Sequence, residues 1–311
     1  MTRIAPVPGL LAAAAVFFTA LAVPVAAPVF AATQPVPVPN PPEPDVSAPA
    51  AAPQPPAPVD VTGADRIEYD AATEMYTFVG ADVVVTRGDE RLEAPEIHYD
   101  GAKRRAIMPR HGTISAPTMG IEADSITADL GLRHVLAEGH VSGRFLDEGV
   151  WATVTAARLE ADDRPELRRV DAAGDASAQA VVVRGDEELH GSRIVYDRTT
   201  QHGSVEGRAL ALRGGDRLEA DHIEGDLGTK DGEATGNVVL DRTAAGAHMH
   251  GTADRATYSG TAGTVVLTGH AVVTRGRDNL AADQITVHLR ENRAVADGHS
   301  KIIAYPQNTS P

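Results

Sequence analysis

Not one of the 311 residues is a cysteine, so no disulfide can staple this chain. Aromatic residues make up only 4% of it. Any interior therefore has to be assembled from Val, Ile, Leu and Ala, which suits a thin two-layer stack better than a thick globular core. Cations are the scarcer charge, with 28 Lys and Arg against 43 Asp and Glu, a net of −15. That deficit disfavours nucleic acid, whose binding requires phosphates to be neutralised, and docking on an anionic membrane surface. Beyond the N-terminal segment no apolar run approaches the ~20 residues a spanning helix needs, and helical periodicity is almost missing. Also lacking are a Gly-x-Ser-x-Gly elbow, a phosphate-cradling glycine loop and a His-Glu-x-x-His pair. No catalytic residue, metal ligand set or cofactor is assigned, and the chain is read as a non-enzyme.

What is there begins with an almost uncharged stretch. Residues 4–31, with a core at Leu10–Ala22, read as a secretory signal peptide cut near Ala31, or else retained as an anchor. Residues 32–60 hold eleven prolines in 29 positions. Proline fixes φ and removes a backbone donor, so this segment is expected to be an extended or disordered tether. The folded part is expected over 61–305, with a disordered tail at 306–311.

Within 61–305 one phrase returns eight times: Ala-Asp-x-Ile-x-Tyr or a degraded copy. Ala64–Tyr69, Ala94–Tyr99 and Ala123–Ala128 open the series. Ala156–Ala161, Gly191–Tyr196, Ala220–Ile223, Ala253–Tyr258 and Ala282–Ile285 complete it. Measured at the fourth residue, the spacings are 30, 29, 33, 35, 29, 33 and 29. Periods of this size signal stacked units, each needing its neighbours to bury an apolar face. Each unit reads as an apolar strand, a Gly-Asp turn, a Leu-x-Ala/Gly strand and a polar connector. The β-branched enrichment and period-two alternation argue for strands. Gly80, Gly139, Gly207, Gly236 and Gly269 precede the apolar strands, where glycine lets each rung turn a corner. The pattern lapses between Asp162 and Ala180, which reads either as a loop between two half-units or as a bulky turn in one stack.

The combination of Ala-Asp-x-Ile-x-Tyr-Asp, Gly-x-Val-x-Val and Arg/Gly-Asp-x-Leu-x-Ala-Asp resembles the OstA/LptA family of periplasmic lipopolysaccharide-transport proteins. Ala64–Tyr99, Leu218–Ile223 and Val265–Val287 carry the resemblance best. It implies an all-β, open, twisted β-jelly roll of two facing sheets built from ~30-residue repeats. It also implies an apolar interior that holds lipid acyl chains, and edge strands that pair with other jelly-roll proteins of the export system or with another copy. The chain is longer than a typical LptA, as if it had extra rungs or two units in tandem. An LptC-like partner of the same system therefore stays open beside an LptA-like bridge between the two membranes.

Candidate lining residues for the lipid groove are Ile67, Phe78, Val83, Val85, Ile97, Ile126, Val141, Ile194, Leu210, Leu212, Ile223, Val238, Leu240, Ile285 and Ile302. The competing reading makes them a dry core and the chain a structural β-solenoid, an adhesin stalk or scaffold. A solenoid polysaccharide hydrolase is a third reading, but among 43 acidic residues no carboxylate pair stands out. The ends near Arg66–Tyr69 and Lys301–Tyr305 are candidate docking edges. His248 and His250 share one strand face, but two imidazoles alone make a weak metal site. Glu160–Asp163 reads as solvated loop.

Overall fold

The computed structural model describes residues 58–305, apart from 130, 148, 165–166, 227, 245–246, 290 and 292. The expected signal segment, most of the proline-rich tether and the 306–311 tail lie outside the described residues. Within them the regular structure is all strand, 22 in number from Asp60–Thr62 to Lys301–Ile303, and there is no helix. All the ladders are antiparallel.

Each long strand serves two layers. In Met75–Arg87, residues 75–79 pair with Arg66–Asp70 and with 96–100, while 83–87 pair with 90–94. Between the halves the ladder breaks. The same break recurs between Glu206 and Ala209, Thr235 and Val238, and Thr268 and Ala271. An extra residue in one strand bends the ladder and increases its twist, so the chain turns from one layer into the other. One layer runs from Asp60–Thr62 to Lys301–Ile303, and the other from Arg66–Asp70 to Arg293–Asp297. With roughly 15 steps of about 4.8 Å, the stack is on the order of 70 Å long.

The glycine corners lie where the repeat places them. Gly139, Gly207, Gly236 and Gly269 have φ of 75°, 69°, 75° and 74°. Only glycine takes that backbone conformation without strain. Gly80 differs: its φ is ordinary, but a Cβ would run into the Gly63 carbonyl, so close approach explains it.

The stretch from Asp162 to Ala180 is not a loop between units. The strand Val150–Arg164 ends within it, Leu167–Ala173 pairs back on that strand and onward with Arg193–Asp197, and among the described residues only 174–179 are irregular. The ladder continues across the lapse in the sequence pattern. Asp162 and Asp163 are accordingly strand residues, and Asp162 is buried beside Arg164.

Alternation fills the space between the layers with small and medium aliphatics, and one continuous cluster runs from Phe78 to Leu289. Alanine is frequent in it, with Ala94, Ala137, Ala156, Ala209, Ala220, Ala234 and Ala271 all buried. Such short side chains let the two layers approach closely, consistent with the shortage of aromatics.

Candidate functional site

Eleven of the fifteen aliphatic and aromatic candidates lie in the interior: Phe78, Val83, Val85, Ile97, Ile126, Val141, Ile194, Ile223, Val238, Leu240 and Ile285. They form one file along the stack, and at Val83, Ile97, Val141, Ile223 and Ile285 no solvent reaches the side chain. The interior between the layers is a continuous file of buried side chains.

Four candidates sit elsewhere. Leu210 and Leu212 are half-buried on the outer face, while Ala209 and Ala211 beside them point inward. Side-chain size favoured the leucines in the sequence, but alternation on from the corner at Gly207 puts the alanines inside. Ile67 and Ile302 do face inward, since Ile67 pairs with Phe78 and Ile302 with Leu280. They are 60% and 68% exposed because each stands on a terminal strand with no further rung to cover it. Tyr69 and Ile303 are exposed with them. At the first end Tyr69, Tyr76 and Phe78 stack in sequence, with centroids 4.5 and 6.2 Å apart.

The two layers are joined covalently only at the corners. On the opposite side lie two rows of turns. One contains the Gly-Asp hairpins at 88–89 and 185–186, the other the Asx-capped turns after Asp100, Asp129, Asp197 and Asp226. Among the described residues no backbone ladder joins the layers along these lips. They meet through side chains. At the first lip Glu90 is held against the turn at Gly131, and burial pushes its carboxyl up despite the charge of Arg87.

The corners carry a set of contacts that the sequence reading did not assemble. The Asp of the repeat phrase packs against the corner glycine of the next strand, so that a Cβ on Gly139, Gly236, Gly269 or Gly298 would overlap Asp124, Asp221, Asp254 or Asp283. The residue after each glycine meets the same carboxylate. His140 Nδ1 is 2.7 Å from Asp124 and His270 Nδ1 2.9 Å from Asp254. His299 Nδ1 is 2.8 Å from Asp283, and Asn237 donates to Asp221 at 2.9 Å. The legible signal was a Gly-His or Gly-Asn pair at a constant distance after the Ala-Asp at 123–124, 220–221, 253–254 and 282–283. These hydrogen bonds, and then the carboxylate charges, push the His140 and His299 imidazoles up.

A 270 Å³ cleft on the outer face is lined by Glu160, Asp162, Arg169, Asp171 and Arg193. Burial raises the Asp171 carboxyl, but the hydrogen bonds and charges of Arg193 and Arg169 together outweigh it and the net direction is down. Arg193 Nε donates to Asp171 at 2.9 Å. Asp171 is paired with both Arg169 and Arg193, while Glu160 meets His134 and Arg158 and Asp162 meets Arg164. His250 and His248 both approach Asp241, at 2.7 and 3.4 Å, and among the described residues no group of three or more metal-ligating side chains assembles.

The decisive comparison concerns the C-terminal part of the stack. Residues 205–293 match the family model described as LptA/(LptD N-terminal domain) LPS transport protein. The stack is OstA/LptA-like. No curated protein matches the chain in sequence. Among solved structures, the OstA/LptA-like stack is similar to LptH, the LptA homologous periplasmic component of the lipopolysaccharide transport device of Pseudomonas aeruginosa. Sequence identity is 15%, the match covers 58% of this chain and 83% of that one, and the TM-score is 0.18. At that score the superposition carries no argument about function.

Proposed function

We propose that this protein is a periplasmic lipopolysaccharide-transport component that shelters acyl chains between its layers and joins its neighbours through its end strands. The observation that carries the reading is the unbroken aliphatic file from Phe78 to Ile285, inside a stack whose repeat matches an LPS-transport family. A chain slipped into such a file gains about 0.8 kcal/mol per buried CH₂ and needs no specific polar partner. Among the described residues no backbone ladder joins the lips, so a lipid can part them there without breaking one. The terminal strands support the bridging role. Arg66–Asp70 and Arg293–Asp297 each pair on one side only, leaving an unpaired edge for strand addition.

The competing reading, a filled structural solenoid, is favoured by the complete burial of Val83, Ile97 and Ile223. Photo-crosslinking in cells decides between them, with a photoreactive residue at Ile126, Ile223 or Ile285 and outward controls at Thr127 and Leu212. Lipopolysaccharide adducts at the inward positions and not at the controls are the expected result. A folded, exported protein that gives no inward adduct would leave only the structural solenoid.

A further inference from the structure

The interior is not apolar to its rim. At the hairpin lip of the first layer, alternation carries a charged residue onto the inward face of five consecutive strand segments. Arg184 follows buried Val182, and Arg213 follows buried Ala211. Arg242 follows buried Leu240, Glu187 precedes buried Leu189, and Asp216 precedes buried Leu218.

The ladder sets them side by side in one row. Arg184 is the register partner of Glu187, Glu187 of Arg213, and Arg213 of Asp216. The register of the next pair, Arg217 with Asp241, brings Arg242 beside Asp216. The sequence of charges is plus, minus, plus, minus, plus, with guanidiniums about two strand spacings, or roughly 10 Å, apart. On the same lip Arg87 with Glu90 and Arg275 with Asp278 repeat the paired charges nearer the two ends, but the row is apolar at Met119, Phe145 and Ala152, which are register partners in that order. A hairpin lip in this fold therefore does not require ions.

Holding ions at this depth is costly unless something needs them. Glu187 is 8% exposed, and its contact with Arg213 is 3.3 Å. Burial pushes the Glu187 carboxyl up in spite of two neighbouring arginines, and burial pulls the Arg242 guanidinium down. Asp216 also accepts from the Thr243 amide at 3.1 Å.

We propose that Arg184, Arg213 and Arg242 form a rail that receives the anionic phosphate groups of an amphiphile whose chains occupy the adjoining aliphatic file. The inference rests on the carrier reading above and adds the headgroup class to it. Three cations at the mouth of an apolar interior, in a protein of net charge −15, provide local charge complementarity that the overall surface opposes. Guanidinium offers paired donors to phosphate oxygens. Glu187 and Asp216 act as resident counter-ions, holding the arginines in the row while the site is empty. A phosphate takes over that role when the lips open.

The test uses the full chain purified without its signal segment, with two acyl-matched probes: diphosphoryl lipid A and the same lipid A with both phosphates removed. The wild type is expected to bind the phosphorylated probe on the order of tenfold more tightly. Arg213→Gln, and the triple change of Arg184, Arg213 and Arg242 to Gln, should shrink that ratio toward one while the dephosphorylated probe binds as before. Arg213→Lys should keep part of the preference. Glu187→Gln, which frees the arginines from a counter-ion, should raise it. If the triple variant does not fold by circular dichroism, Arg213→Gln and Glu187→Gln decide. A wild type that binds both probes equally, or a preference unchanged in the variants, overturns the rail and leaves the carrier intact. Failure of both probes to bind the wild type overturns the carrier reading and the rail with it.

Discussion

The aspartate of the repeat phrase illustrates how one residue can join two repeats. It stands at the start of one strand and touches the corner of the next, where a glycine with positive φ admits its carboxylate. Where the following residue is histidine, the pair becomes titratable. At His140 and His299 the folded imidazole is pushed up by its aspartate, first through the hydrogen bond and then through the charge. A raised folded value means that the pair's contribution is fully present below the ordinary imidazole range, near 6.5. It is lost as pH rises through the folded value. NMR titration should therefore show His140 and His299 retaining their protons above the ordinary range. Asp124→Asn and Asp283→Asn should bring the two midpoints back down. Midpoints unmoved by these changes would remove the assigned cause. The same scale explains the Leu210 and Leu212 correction. Hydrophobic size is a poor guide to direction where two layers lie close enough to prefer alanine.

At the scale of the element, the long strand with a corner in it is the building unit. It needs β-branched residues on both arms and glycine in the middle, and both were readable. Two kinds of glycine with similar φ should respond differently to substitution. Gly236 has φ 75° and its missing Cβ is occupied by Asp221, whereas Gly185 has φ 62° in a hairpin with nothing nearby. Gly185→Ala should cost about 1 kcal/mol, the penalty of the backbone conformation alone. Gly236→Ala should cost more, on the order of 2–3 kcal/mol, because the carboxylate must also move. Thermal or urea unfolding of the two variants measures the difference, and equal losses would show that the corner is not sterically coupled to the aspartate. The segment from Asp162 to Ala180 belongs to this scale as well. Its polar run concealed a strand, because outward positions there carry Arg169 and Asp171, and Asp171 is neutralised by Arg169 and by Arg193 of the neighbouring strand. Pairings of that kind become visible only when register is known.

For the whole molecule, a stack has two ends, and the residues expected to line its middle include two that mark those ends. Ile67 and Ile302 point inward on terminal strands without a covering rung. An open edge with exposed apolar side chains is a template for strand addition. The purified chain is expected to self-associate end to end in a concentration-dependent way, seen by sedimentation velocity. Ile67→Lys or Ile302→Lys should weaken that association while leaving the fold intact. A chain that stays monomeric at high concentration, or variants that associate as before, would count against edge pairing between copies. The sequence by itself determined the strand class, the period of the repeat, the corner glycines and eleven of the interior positions. Alternation and φ restrictions are local physics and leave a periodic trace. Three features were decided only by the tertiary structure: the burial of one continuous aliphatic file between the layers, the Asp-His contacts at the corners, and the charged row from Arg184 to Arg242. Each depends on which strand lies beside which, and register across a layer is set by the whole ladder and not by any one segment.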